Sequence, residues 1–517
     1  MLLVLLTGLF AVLFYFKVVK KYNFWHDRGV PYIKPIYFVG NFGPTIFRIK
    51  SNHQIIKDAY NKYPNSRYVG FYQASEPVLI LRDPDLIKDV TIKEFDSFPN
   101  HKKFLPPNVD LLWERNLVQM STEDGWHTMR ATLSPAFTSS KMKMLFNLMR
   151  DCSTEFVKYF QSQKGEIVVE LKDIFSRFTN DIIATSAFGI QCNSLKDRTN
   201  EFYLMGKEAT DSSGLNGLKF FGYAFSPLLM KLFKIKIFSE KLSNFFREVI
   251  KETITHRQQN NIVRPDMLHL LLEASKKLKN SDEDKKSKNM INEFSLDDIT
   301  AQAVIFFRAG FETVSSAMCY LAYELCIHPE IQDKLYNEIK ETLKDTPQLT
   351  YESITTMKYL ECCISESLRV HPPVSAVDRQ CQKCYTINPI HPSEKQIRIE
   401  KGQMVWIPVC ALHHDEQYFP NPLKFDPERF NDENRHKINP SVYVPFGAGP
   451  RMCIGSRFAM MEIKLVLVEI LRYFEIVVNK QTKIPLNYSV TNMNGIPDDG
   501  IWLSFKPRIL CDDNISV

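Results

Sequence analysis

The chain has 517 residues, 44% of them hydrophobic and 24% charged, with a formal net charge of +6 and eleven cysteines. This balance excludes a disordered chain, and without dense Lys/Arg tracts no nucleic-acid partner is expected. The odd cysteine count in so long a chain excludes a disulfide-framed scaffold and suits reduced core thiols in the cytosol.

Met1 to Phe16 is almost wholly apolar and is followed by Lys17, Lys20 and Lys21. Residues 1–21 therefore read as an uncleaved membrane anchor whose lysines stay on the cytosolic side. Prolines in RGVPYIKP make residues 22–35 an expected stiff, extended linker. No Gly/Ser-rich break or internal repeat divides residues 36–517, so one large catalytic domain is expected.

Helical patterning dominates that domain, with short β-like stretches at Ser66 to Tyr72, Pro77 to Arg82 and Gln396 to Pro408. The fold class is mainly α with small β-sheets. Trp126 and Arg130 stand at i and i+4 in GWHTMR, so both can reach one anionic group from a helix face. Lys141, Lys143 and Arg150 form a basic run, suited to an acidic partner or to plain solvation. Leu215 to Phe246 is rich in Phe220, Phe221, Phe225, Leu228, Leu229, Phe233 and Phe238, interleaved with Lys219, Lys231, Lys234 and Lys236. It reads as core or as a lid resting in a membrane interface. Lys276 to Asn289 has mixed charge and no apolar period, as a solvated connection would.

Ser295 and Asp298 then form a capping-box start, and Leu296 to Ile327 runs without proline. A helix of that length spans roughly 45 Å, and its apolar character marks it as buried. Yet it carries Ala309, Gly310, Glu312 and Thr313. A mid-helix glycine costs about 1 kcal/mol, so close packing or a ligand should offset it. Further on, Glu366 and Arg369 share a helix face at i and i+3 in ISESLRVHPP. Cys381 and Cys384 form a lone CxxC without the second pair that zinc requires.

Phe446, Gly447, Ala448, Gly449, Pro450, Arg451, Met452, Cys453, Ile454 and Gly455 precede an apolar helix expected at Arg457 to Phe474. Glycines allow a tight turn about a sulfur, while free amides, a helix amino terminus and an arginine all favour its thiolate. A metal-binding cysteine is expected there.

The string resembles the haem-binding loop of the cytochrome P450 superfamily, FxxGxRxCxG, at every specified position. The resemblance implies that fold, with haem b (iron protoporphyrin IX) held through Cys453 as axial ligand in a loop containing Phe446, Gly447, Arg451 and Gly455. It implies that Trp126, Arg130, Arg379 and Arg451 meet the haem propionates. AGFET implies that Ala309 and Gly310 make room for dioxygen while Glu312 and Thr313 deliver protons; Val314 departs from the Thr or Ser common in the family. Pro427, Glu428, Arg429 and Phe430 resemble the PERF box, whose arginine joins Glu366 and Arg369 in a structural ion network.

FFRAGFETVSS and FTSSKMKM further resemble insect microsomal members that act in xenobiotic metabolism. Such a protein is expected to be a monooxygenase of lipophilic small molecules at the endoplasmic reticulum membrane, its catalytic domain on the cytosolic face. Electrons would come from NADPH through NADPH-cytochrome P450 reductase, with cytochrome b5 as a further partner. Two other readings are a hydroperoxide isomerase, against which Glu312 and Thr313 argue, and a non-catalytic haem or lipid carrier.

Overall fold

The computed structural model of the chain describes residues 20–211, 216–217, 219, 222–223, 226–264, 266–269, 271–273, 294–392, 394–492 and 495–509. The expected anchor, except Lys20 and Lys21, lies outside these residues, as do the 276–289 connection, Phe220, Phe221 and Phe225. No helix among the described residues is long and apolar enough to cross a membrane.

Strands β1 (Tyr68–Gln73) and β2 (Glu76–Leu81) form an antiparallel hairpin, close to the expected stretches. After them come helices α1 (Leu111–Glu114), α2 (Trp126–Leu133) and α3 (Ser139–Gln161), strand β3 (Ile167–Glu170), and helices α4 (Leu171–Ile183), α5 (Glu201–Thr210) and α6 (Glu240–Gln259). The long helix α7 spans Leu296–Ile327, and α8 (Lys358–Val370) carries Glu366 and Arg369. Strands β4 (Val377–Gln380), β5 (Tyr385–Ile387), β6 (Ile397–Ile399) and β7 (Met404–Ile407) lead to α9 (Ser456–Tyr473), then β8 (Phe474–Val477) and β9 (Trp502–Pro507). The sheets are small: β1-β2-β7-β4, β3-β9-β8, and the pair β5-β6. The late β-like stretch is thus two strands broken at Gly402, where φ is +90°.

Residues 22–35 correct the expected linker. Trp25 is buried and its indole N–H donates to the Phe71 carbonyl at 3.0 Å, while Ile33 N donates to Gly70 O and Gly70 N to Pro31 O. A Cβ on Gly70 would lie 2.6 Å from the Trp25 ring. The apolar Tyr22, Trp25 and Val30 find burial against β1, and the backbone covers that strand's open edge; prolines stiffen the segment without freeing it.

The box that opens α7 is complete: Asp298 N donates to Ser295 Oγ, and Ser295 N donates to Asp298 Oδ2. Two neighbouring helices approach α7 through missing side chains. A Cβ on Gly206 of α5 would fall 2.1 Å from the Phe307 ring, and one on Gly310 of α7 would fall 2.9 Å from Ile183 Cδ1 of α4. Phe188, Phe202, Phe246 and Phe307 then interlock with ring centroids 5.1–6.3 Å apart. Each such pair contributes about 0.5–1.5 kcal/mol beyond area burial, which fixes α7 as the axle of the helical layer.

Candidate active site

The cysteine loop is shaped by its backbone. Gly447 and Gly449 both adopt positive φ, +74° and +72°. A Cβ on Gly449 would lie 1.8 Å from the Thr91 carbonyl oxygen, so the loop sits directly on residues 89–93. Cys453 N donates to Phe446 O at 2.8 Å, closing the turn around the sulfur. α9 begins three residues later at Ser456, one residue before the expected start.

Cys453 has exposed surface, yet burial pushes its thiol up from the ordinary value; the Gly455 amide and Arg130 pull it down. The expected lowering by the loop alone is therefore corrected. Amide and arginine act with the expected sign, but desolvation outweighs them.

Around the loop stand three arginines. Arg451 donates to Pro99 O (2.7 Å), Met120 O (2.9 Å) and Asn100 Oδ1 (3.2 Å), and its guanidinium lies 3.9 Å over the Trp126 ring. It brackets the loop against the 99–120 strap. Arg379, on β4, is fully buried and donates to Ala448 O at 3.0 Å and to Asp378 O; its Nε has no hydrogen-bond partner among the described residues. Arg130 sits one helical turn after Trp126 on α2, as expected, and donates to Met452 O at 2.9 Å. Burial lowers Arg451 to about 9, with Arg379 adding to the effect, and lowers Arg379 to about 10.

The opposite wall is α7. Ala309 is exposed although Val304, Phe307, Phe311 and Val314 around it are buried, and Thr313 one turn on is partly accessible. Phe306, on the same face at i−3 from Ala309, meets Phe137 edge-on at 5.8 Å, and Phe137 also flanks Gly455. That ring joins α7 to the cysteine loop. Thr313 Oγ donates to Ala309 O at 2.6 Å, and Gly310 packs against Ile183. Glu312 turns the other way: Lys172 Nζ lies 2.9 Å from its Oε1 and also donates to the Ser315 and Ser316 hydroxyls.

The ion network behind the loop is as expected. Arg369 binds Glu366 through two bonds of 2.7 and 2.8 Å with both side chains fully buried, and Arg429 Nε lies 3.4 Å from Glu366 Oε1. Arg369 and Arg429 also donate to carbonyls of His413, Lys424, Pro420 and Asn421, stitching the segment before the loop to α8.

Sequence reasoning missed Asn100, whose side chain meets Arg451, Thr122 N and Glu123 at once, and Lys172. Both act across long sequence separations that no local spacing encodes.

The cytochrome P450 family model matches residues 30–502. The chain belongs to the cytochrome P450 family. It is 42% identical over 507 residues to cytochrome P450 9e2 of Blattella germanica, covering 94% of each chain. It is 39% identical to probable cytochrome P450 9f2 of Drosophila melanogaster, over 97% of this chain and 98% of that one. Cytochrome P450 6a2 of Drosophila melanogaster is 37% identical over 94% and 95%. This P450 is a haem-thiolate monooxygenase that works with haem b and electrons originating from NADPH. Its residues fit that group: the exposed Cys453 sits in a backbone cradle that Phe137 links to α7 beside the exposed Ala309, and buried guanidinium groups, one with an unmatched N–H among the described residues, suit two carboxylates.

Proposed function

We propose that Cys453 is the axial ligand of the haem iron and that the protein inserts one oxygen atom into lipophilic small molecules at the endoplasmic reticulum membrane. The observation that carries this reading is that Phe137, which flanks Gly455 two residues after the exposed Cys453, meets Phe306 one turn before the exposed Ala309 of an otherwise buried helix. Haem bound through a thiolate supplies the oxygen activation, because electron donation from sulfur favours O–O cleavage.

The chain's own residues orient and protect. Phe446, Gly447 and Gly455 shape the sulfur's cradle, and Arg130 and Arg379, with Trp126 and Arg451 behind them, offer donors to the two propionates. Ala309 and Gly310 keep bulk away from the reacting face. Thr313 holds its proton on the Ala309 carbonyl and must turn to donate it elsewhere. Glu312 holds protons for exchange and must leave Lys172 to do so. Phe137 and Phe306, packed edge-on beside Ala309, present apolar surface that limits water.

Membrane association is supported by exposed Leu228, Leu229, Leu232 and Phe233, which alternate with lysines before α6. The proposed electron donor is NADPH-cytochrome P450 reductase, assisted by cytochrome b5. Lys143 is exposed for such docking but already pairs with Glu352, and Arg150 with Asp151, so a partner must compete with these ion pairs. Mass spectrometry of products formed under labelled dioxygen with reductase tests the reading. NADPH-dependent gain of one labelled oxygen is expected, whereas reductant-free conversion of a hydroperoxide as the sole activity would overturn it.

A further inference from the structure

Lys172 holds α7 from outside at the residues proposed to move protons. Its Nζ lies 2.9 Å from Glu312 Oε1, donates to Ser315 Oγ at 2.7 Å and Ser316 Oγ at 3.1 Å, and reaches the Glu312 carbonyl at 3.3 Å. One ammonium, with three N–H donors, thus grips the acid's side chain, its main chain and the turn that follows.

The mount of that ammonium is rigid. Lys172 is the second residue of α4, which Glu170 caps by accepting from Lys172 N at 3.1 Å and from Asp173 N at 2.6 Å. Glu170 also accepts from Ile501 N at 3.2 Å, so its oxygens are occupied by amides. Thr179, two turns after Lys172 on α4 and fully buried, donates to Phe311 O at 3.2 Å. The helix α4 therefore holds the main chain of α7 at residues 311 and 312, and the freedom left to Glu312 lies in its side chain. Arg308 faces Glu312 as well, but from one turn earlier on α7, so it does not tie the acid to α4.

Successive residues of an α-helix point about 100° apart. Thr313 donates to Ala309 O at 2.6 Å, beside the exposed Ala309, while Glu312 is committed to α4. Each side chain of the Lys172–Glu312 pair is 19% exposed, so a proton from solvent can enter there. Insertion of oxygen and release of hydrogen peroxide draw on the same inputs: one dioxygen, two electrons from NADPH and two protons. Insertion yields an oxidised substrate and one water; release yields only the peroxide. The two outcomes are separated by where and when protons arrive, not by how many.

We propose that Lys172 is a positioning residue that ties Glu312 to α4 and so restricts proton delivery beside Thr313, favouring oxygen insertion over release of hydrogen peroxide. An acid cut loose from α4 carries protons and water to the reacting face at any time. This rests on the reading of Glu312 and Thr313 as proton carriers.

The test uses haem-loaded enzyme, its reductase and a compound that the labelled-dioxygen assay shows to be oxidised; NADPH consumed, product and hydrogen peroxide are measured together. In Lys172→Met, product per NADPH should fall about threefold, the weight of one partly exposed ion pair, with peroxide making up the difference. NADPH consumption and substrate affinity should stay within about twofold of wild type, because the acid is still present. Lys172→Arg should restore most of the product yield. Lys172→Gln, which keeps an N–H donor without the charge, carries the same expectation as Lys172→Met where that variant fails to take up haem. In a Glu312→Gln background, removal of Lys172 should change the partition no further. An unchanged partition in Lys172→Met, or an equal loss with and without Glu312, overturns the proposal. Thermal melting gives a readout independent of turnover: the losses from Lys172→Met and Glu312→Gln should not add in the double variant, and additive losses overturn the pairing. Glu312→Gln that alters neither NADPH consumption nor partition defeats the proton role of Glu312 itself. Slowed consumption in Glu312→Gln with no effect of Lys172→Met defeats only the role of Lys172.

Discussion

On one side of α7, the 446–455 loop is held by backbone: two glycines at positive φ, the Cys453 amide on Phe446 O, and arginines that end on carbonyl oxygens. Above it, the roof is held by side chains: Trp113 on Phe238, Gly206 under Phe307, and an outer surface of exposed leucines and lysines. The floor tolerates few residue types because its geometry is fixed by main-chain atoms, and the roof tolerates many because any well-packed apolar set will serve. The two regions thus differ in what holds them, main-chain atoms in one and side-chain packing in the other.

The largest effect should come from breaking the floor. Cys453→Ala should abolish the thiolate-type ferrous-CO spectrum and the NADPH-dependent product, and an unchanged spectrum would remove Cys453 as ligand. Arg369→Ala leaves the fully buried Glu366 with its bidentate partner gone, a loss of about 3–5 kcal/mol. Burial already raises Glu366, against the pull of Arg369, the Asp426 amide and Arg429. Chemical denaturation should show the loss, and a midpoint equal to wild type would make the network dispensable.

Editing the roof should spare the haem. Leu232→Glu with Phe233→Glu places charge on the exposed patch and should cut retention on anionic vesicles several-fold while the CO spectrum stays normal. Undiminished retention would assign membrane contact elsewhere.

The smallest effect concerns Glu462 on α9, fully buried with neither carboxylate oxygen hydrogen-bonded among the described residues. Burial raises its folded pKa, so the folded state is favoured below the ordinary carboxyl range and loses that contribution as pH rises through the raised value. Glu462→Met should therefore melt about 1–3 °C higher near pH 8, with the gain shrinking toward acid. A gain independent of pH would show that packing, not ionisation, is responsible.

Legibility in the sequence followed the same division. The α7 boundaries, Leu296 and Ile327, were readable because a capping box and a proline mark them locally, and the cysteine loop because its turn needs glycine at fixed offsets. The Glu366–Arg369–Arg429 network became readable once the loop had named the family. What escaped depended on distant partners. The 22–35 segment looked like a linker because its prolines are visible in sequence and the β1 edge it covers is not. The fate of the Cys453 thiol escaped for a related reason: the amides and arginine that lower its pKa are near in sequence, whereas the burial that outweighs them comes from the whole fold. Glu312 was expected beside Thr313 in function, yet Lys172, 140 residues earlier by the span of its bond to the Glu312 carbonyl, draws it aside.

Gln302 is fully buried in α7, where its side-chain amide receives the Leu117 N–H at 2.9 Å and donates to Arg115 O at 2.7 Å. Because this grip is on main-chain atoms, the strap's path at Arg115 and Leu117 does not depend on the identity of the side chains there. Side chains along the strap can therefore be exchanged one at a time while the wall on which they are mounted keeps its place.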